Sequence, residues 1–446
     1  MVDLVIKNGC IVTMDKNCRI IQGGSIAVED GRIQSIGKKG RTPKADEVID
    51  AKGKIVMPGL ICAHTHLYGM LLRGAPLKIQ PPTDFSQILQ RVWWPMDETM
   101  KKDDAYASAL ISCVEFLKTG TTLFADTYSG PKSIAGVLDK IAAAVEQSGI
   151  RGIISFEATE RHSRAEGASG MRENERFIKK LKKKRISRIM GMICVHASFT
   201  VSDELLAYAR QLASKYKVPM TIHTSEGLVD VYHNYERYGM RTVERLKEVG
   251  FLGPDVVLAH CVNVSDEELD IIQKSGAKVA HNPMSNMLNA VGVAPVPKML
   301  QRGIPVGLGN DGYIFDGFEN IRAAYLIHKV STRDPRVISP REVLEMATIK
   351  GAELYGLENE VGSIEIGKLA DLIIINPTLA PTPIRPDTVL GHLVNTVDGD
   401  DVETVIVGGK VVVKEKKLLT IDESQAAAIA RRAAEKLWQE LQRGGR

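Results

Sequence analysis

Between residues 58 and 358, apolar strand-like runs alternate with helical stretches, and each of eight runs finishes in a polar or ionisable residue. They are LICAHTH with His66, TTLFADT with Asp126, RGIISFEAT with Glu157, IMGMICVHAS with His196, VPMTIHTSE with His223, VVLAHCVN with His260, GAKVAHNP with His281 and IPVGLGNDG with Asp311. Their alternation with helices builds a parallel sheet. Eight βα units in a stretch of this length match a (β/α)8 barrel, whose active site lies at the C-terminal ends of the strands. A doubly wound open sheet binds ligands at strand ends only around a switch point, and would use fewer such residues. The fold class expected is α/β, a (β/α)8 TIM-type barrel over 58–358.

The flanks read differently. Residues 3–57 are short β segments, with Asn8-Gly9, Asp30-Gly31 and Lys52-Gly53 as tight-turn signals between them. A helix is expected over 339–357, after which the chain returns to strands, turned at Gly408-Gly409. The two ends share turn chemistry and period, so 1–57 and 359–420 are expected to form one β-sandwich beside the barrel. Residues 421–446, rich in Ala, Arg and Glu, read as a terminal helix. Within the barrel, Ser265 with Glu268 and Ser339 with Glu342 form capping boxes, the latter with Pro340 at the first helical position. Gly120 and Gly149 punctuate helix ends.

Composition removes several classes. A formal net charge of +4 on 446 residues supplies no field for nucleic acid or membrane. The most basic segment, Lys179 to Arg185, follows Glu173 and Glu175 and reads as a solvated helix end. Six scattered cysteines, several inside apolar runs and none in CxxC, indicate a reducing compartment. No charged start precedes an apolar core, and no apolar run reaches membrane-spanning length. A cytoplasmic protein with a small-molecule partner is expected, and exposed barrel helices leave room for a homodimer.

In the first barrel run, His64 and His66 alternate with Thr65, so on a strand both imidazoles face the same way. Alone, such a pair is as easily a partly buried polar couple. Three other strand ends change that weighting. His64, His66, His223 and Asp311 together give three imidazoles and a carboxylate, a mixed shell suited to Zn²⁺ or another first-row divalent ion, with one position left for water. Glu226 follows His223 by three residues, where a short turn can return its carboxylate over the metal.

PGLICAHTH, HTSE, LAHC and LGNDG occur in this order across the whole barrel, with GKLADLII and VIVGGKVV in the tail. In these motifs the chain resembles the amidohydrolase superfamily, in its metal-dependent deaminase and chlorohydrolase branch. It is similar there to methylthioadenosine/S-adenosylhomocysteine deaminases and, through WWPMD, HASFT and SNMLNAVG, to SsnA-like aminohydrolases. The resemblance implies one divalent ion, zinc first and iron second, held by His64, His66, His223 and Asp311. It implies catalytic roles for Glu226, His260 and Asp311: Glu226 moves a proton from water to a ring nitrogen, His260 polarises, and Asp311 carries a second proton to ammonia. His196 stands where binuclear relatives have a carboxylated lysine, so a single-metal site with His196 contacting the substrate ring is implied. Where nucleoside-binding relatives hold ribose hydroxyls with a Glu in Trp-Pro-x-Glu, this chain has Trp94-Pro95-Met96-Asp97, one methylene shorter. Asn263 and Asn310 are further departures that remove no catalytic group.

Trp94 is expected as pocket wall, and His281 either shapes the pocket or caps its strand. Asp126 and Glu157 are expected as polar groups of the barrel mouth, and His162, His233, His328 and His392 as ordinary histidines. The function expected is hydrolytic deamination of a purine-like N-heterocycle. A triazine-type chlorohydrolase or cyclic amide hydrolase would use the same site, and a non-catalytic barrel scaffold would not need an intact Glu226.

Overall fold

The computed structural model describes residues 1–37, 43–183 and 188–444. Lys184 and Arg185, the end of the basic segment, lie outside the described residues. Before them Lys179 pairs with Glu175 and Lys180 with Asp139, as a solvated helix end should.

The N-terminal strands are β1 (Val2–Val12), β2 (Ile20–Glu29), β3 (Arg32–Gly37), β4 (Ala45–Asp50) and β5 (Ile55–Pro58). The barrel strands are β6 (Leu60–Thr65), β7 (Thr121–Tyr128), β8 (Arg151–Ala158), β10 (Ile193–Ala197), β11 (Met220–Thr224), β12 (Val256–His260), β13 (Lys278–His281) and β14 (Val306–Leu308). The short β9 (Ile189–Gly191) adds to β8 beside this path. Four strands follow: β15 (Leu372–Ile375), β16 (Val402–Val407), β17 (Lys410–Lys414) and β18 (Lys417–Leu418).

The eight barrel strands are parallel neighbours in chain order from β6 to β14. β6, β7, β11 and β12 are buried at every residue, which explains why their sequences run apolar without alternation. The ring closes where the first strand meets the residues after the last. Thr65 bridges Asp311 in parallel, the His64 carbonyl accepts from the Asn310 and Asp311 N–H groups at 3.0 and 3.1 Å, and His66 N–H donates back to the Asp311 carbonyl. The approach there needs a glycine: a Cβ on Gly309 would fall 2.2 Å from Asn282 Oδ1 and 2.7 Å from the His64 carbonyl oxygen.

Both chain ends share the second, nine-stranded sheet, in which eight strands are hydrogen-bonded in one continuous series and β4 pairs with β1 beside it. β5 joins them, pairing parallel with β1 and antiparallel with β15. Leu4, Ile6, Val28, Val56, Leu372 and Ile374 are among the residues of its own apolar core. Arg151, at the start of β8, ties sheet to barrel through both oxygens of Asp371 (2.5 and 3.2 Å). The final helix, Glu423–Gly444, packs on the helix Lys102–Lys118, and Trp438 Nε1 donates to the Leu71 carbonyl just beyond the histidine pair.

Three local expectations change. Asn8-Gly9 makes no turn: β1 runs through it with register shifts either side of Gly9, and Asn8 takes φ 65° inside a bulge. Lys52-Gly53 carries the chain from β4 to β5 without reversing it, since both pair parallel with β1. The helix expected over 339–357 is two, Pro340–Met346 and Ile349–Leu354, broken at Thr348. Asp30-Gly31 and Gly408-Gly409 are hairpin turns, and both capping boxes form.

Candidate metal and catalytic site

The strand ends converge at one mouth of the barrel. His64 Nε2 and His66 Nε2 lie 3.3 and 3.1 Å from Asp311 Oδ1, and His66 Nε2 lies 3.1 Å from His223 Nε2. Asp311 comes into reach from a left-handed backbone (φ 61°), as do Ser225 (48°) and His260 (73°). Such conformations are uncommon outside glycine and concentrate at functional sites.

Hydrogen bonds fix the tautomers. His66 Nδ1 donates to the Thr127 carbonyl at 2.7 Å and His223 Nδ1 to the His196 carbonyl at 2.9 Å, so both rings turn Nε2 toward Asp311 and each other. Two bare imidazole nitrogens at 3.1 Å repel unless a proton or a cation lies between them. His64 Nε2, wholly buried, has no hydrogen-bond partner. Burial pulls the His64 imidazole down to about 4, and burial likewise holds His223 well below the usual histidine range. Against the same burial, Asp311 raises the proton affinity of His66, while His64 and His66 hold the Asp311 carboxyl well below its usual range. The pocket therefore favours a cation among neutral nitrogens and a carboxylate, a place that a divalent metal would fill. The residue types fit such an ion. His260 belongs to the same cluster, its Nε2 4.0 Å from Asp311 Oδ1, but Asn282 Nδ2 (3.2 Å) and Glu226 Oε2 (3.5 Å) already approach that nitrogen.

Above the cluster opens a narrow cleft. Tyr68, Phe85, Leu89, Trp93, Trp94 and Phe199 form apolar walls, and His66, Asp97, Glu157, His196, His223, Glu226, Asp230, Asn289 and Asp311 supply its polar lining. Burial, then the neighbouring Asp311 charge, push Glu226 well above the usual carboxyl range. Its turn is clamped: Asp230 Oδ2 accepts from Ser225 N–H, Asn263 N–H donates to the Ser225 carbonyl, and Asn263 Nδ2 donates to the Glu226 carbonyl. Asn263, a departure from the resembled pattern, thus braces the turn that carries Glu226.

Not every expected residue is placed as expected. Asp97 and Trp94 line the cleft, but the Asp97 carboxylate is already taken up by Tyr68 OH (3.0 Å), Ser129 Oγ (3.0 Å) and Arg161 (2.7 Å). His281 does not line it: its Nε2 meets His328 Nε2 at 3.1 Å, both rings buried. His328 is a core histidine, within the expected reading, and His281 is its partner. Glu157, expected only as a mouth group, lies in the cleft with its carboxylate 3.8 Å from His196 Nε2 and His223 Nδ1, and burial raises it to about 7. Asp126 fits the structural reading: Oδ1 accepts from Leu67 N–H at 2.8 Å. Sequence reasoning passed over Asp230, Ser285 and Asn289. Ser285 and Asn289 carried one usable signal, a spacing of four that puts both on one face of the short helix Pro283–Leu288.

A parallel barrel with a buried cluster of histidines and an aspartate at its C-terminal mouth defines the class: a metal-site (β/α)8 hydrolase fold. A model of the Amidohydrolase family matches residues 55–412. The chain is 38% identical over 444 residues to the 5'-deoxyadenosine deaminase of Methanosarcina mazei, spanning 98% of this chain and 99% of that one. It is 33% identical to the 5-methylthioadenosine/S-adenosylhomocysteine deaminase of Syntrophobacter fumaroxidans, over 94% of this chain and 95% of that one. In structure it is similar to an adenosine deaminase from Xanthomonas campestris with bound zinc (TM-score 0.90, 24% identity, 98% of each chain). The chain belongs to the amidohydrolase family. Among the described residues no helix is long and apolar enough to cross a membrane, and all six cysteines are free and buried.

Proposed function

We propose that the protein is a zinc-dependent hydrolytic deaminase of an adenosine-like nucleoside, with 5'-deoxyadenosine and 5'-methylthioadenosine as the substrates to try first. The observation that carries the reading is Glu226: a buried carboxyl of raised proton affinity, 3.5 Å from His260 and facing the His/Asp cluster from inside an apolar-walled cleft. The full-length relatives supply the substrate class.

His64, His66, His223 and Asp311 would hold the ion, which when bound lowers the proton affinity of a water molecule enough to make it a nucleophile at neutral pH. Glu226 takes the water's proton and gives it to the ring nitrogen next to the amino-bearing carbon, making that carbon electrophilic. His260, its Nδ1 anchored on Asn286 Oδ1 at 2.8 Å, turns Nε2 toward Glu226 and orients the attacking oxygen. Asp311, whose Oδ2 accepts from Ser285 Oγ at 2.6 Å, passes the second proton to the departing amine, and ammonia leaves. His196, its Nδ1 bonded to Thr200 Oγ1 at 2.7 Å, presents Nε2 to the substrate ring. With three donors on its carboxylate, Asp97 keeps acceptor capacity for one sugar hydroxyl.

The test is ammonia release by the zinc-loaded protein from 5'-deoxyadenosine, 5'-methylthioadenosine, guanine and a chlorotriazine, with metal content measured in parallel. Release from the nucleosides is expected, and Glu226→Gln should lower kcat by about 10³-fold with metal retained. Loss of metal in that variant would move Glu226 into the ligand shell. Chloride release from the triazine alone would transfer the site to the chlorohydrolase reading. Metal analysis of protein expressed without supplementation separates zinc from iron.

A further inference from the structure

A hydrogen-bonded chain runs along the wall of the cleft from Trp93 to Glu226 and Asp311, the two carboxylates that move protons in the proposed reaction. Trp93 Nε1 lies 2.8 Å from Tyr313 OH, Tyr313 OH lies 3.1 Å from Asn289 Oδ1, and Asn289 Nδ2 lies 3.4 Å from Glu226 Oε1 and 3.2 Å from Ser285 Oγ. Ser285 Oγ in turn lies 2.6 Å from Asp311 Oδ2.

The direction of this chain is fixed at its origin. An indole N–H can only donate, so Tyr313 accepts from it and directs its own proton onward. Asn289 must then receive that proton on Oδ1, which settles the orientation of its amide and leaves Nδ2 able only to donate. That group faces Glu226 and Ser285, and Ser285 spends its proton on Asp311. Trp93 and Asn289 are 7% and 5% exposed, so water does not substitute for these bonds at modest cost. Every link delivers a donor toward a carboxylate.

We infer that Asn289 is a positioning residue of the deaminase, the branch point through which Trp93 and Tyr313 set the orientation of the Glu226 and Asp311 carboxylates for proton transfer. The inference rests on the deaminase reading above. Asn289 touches neither the expected ligand nitrogens nor the ring-binding His196; because it also lines the cleft, kcat and KM measured together tell a positioning role from a substrate contact. The 3.4 Å contact to Glu226 is of the kind that tightens when a substrate is seated.

The experiment compares wild type, Asn289→Leu, Tyr313→Phe and the double variant, all zinc-loaded, with 5'-deoxyadenosine as probe. Asn289→Leu should lower kcat about tenfold with KM and zinc content unchanged, and should lower the melting temperature because the Tyr313 and Ser285 hydroxyls lose a buried partner. Tyr313→Phe frees the amide to turn and should lower kcat about threefold. The double variant should be no slower than Asn289→Leu, because both act through one chain. Unchanged kcat in Asn289→Leu overturns the inference, and so does a rise in KM at constant kcat, which would make Asn289 a substrate contact. Should Asn289→Leu lose zinc or unfold, Tyr313→Phe decides alone, and wild-type kcat there overturns the inference. Failure of the wild-type enzyme to release ammonia from any purine is a separate result, and it falls on the deaminase reading.

Discussion

Glu175 sits on the helix Arg164–Lys182, away from the cleft. Tyr216 OH donates to it at 2.6 Å, and Lys179 and Lys215 pair with it at 3.0 and 3.4 Å, which together hold its carboxyl down to about 2. A carboxyl depressed in the folded state stabilises above its unfolded value, near 4.5, and loses that contribution as pH falls through 2. Glu175→Gln should therefore cost about 1 kcal/mol at neutral pH, since solvent screens so accessible a cluster. Chemical denaturation of the two proteins should converge as pH drops from 4.5 toward 2; a constant gap would mean the charge is not what Glu175 contributes. At this scale the sequence was uneven. His64, His66, His223 and Asp311 were legible because a polar residue ending a buried strand has few structural reasons to be there. Asn289 and Ser285 were not, because a polar residue ending a short helix is ordinary and only the indole of Trp93, distant in sequence, gives them direction. The neighbours of Glu157, His196 and His223, were not legible because they come from other strands.

Between elements, the decisive contact is β6 against the residues after β14. Gly309 has no room for a side chain between Asn282 and the His64 backbone. Gly309→Ala should push these apart, cost about 3 kcal/mol and lower zinc occupancy together with stability. Thermal melts and metal analysis check it, and a stable, fully metallated variant would show that the closure tolerates movement. The strand order was readable from the apolar runs. The bulge in β1 was not, because Asn-Gly satisfies a left-handed backbone equally well in a bulge and in a hairpin. The break at Thr348 was hidden for a related reason: a continuous helical pattern does not show where tertiary packing interrupts it.

Over the whole molecule, the two chain ends meet in one sheet and the final helix rests against the segment that follows His66, through Trp438 and Leu71. The sharing of that sheet was legible from matched turn chemistry, whereas its continuity was not, since hydrophobic period says which face is buried and not how many sheets are present. The same long-range economy governs closure. Cys62 and Asn310, neighbours at the seam, are separated by 248 positions. Translation delivers Asp311 long after the histidine pair, so for most of its synthesis the chain would carry only part of the proposed ligand set. Contacts of such separation form late, after intervening loop entropy has been overcome. Refolding in the presence of zinc should therefore show chelator-resistant metal only with the slowest phase; capture in an early phase would mean the ligands gather before the ring shuts. On the proposed ligand set, acquisition of the cofactor would become a clock for the end of folding, and a half-made chain would hold the ion by its histidine pair alone.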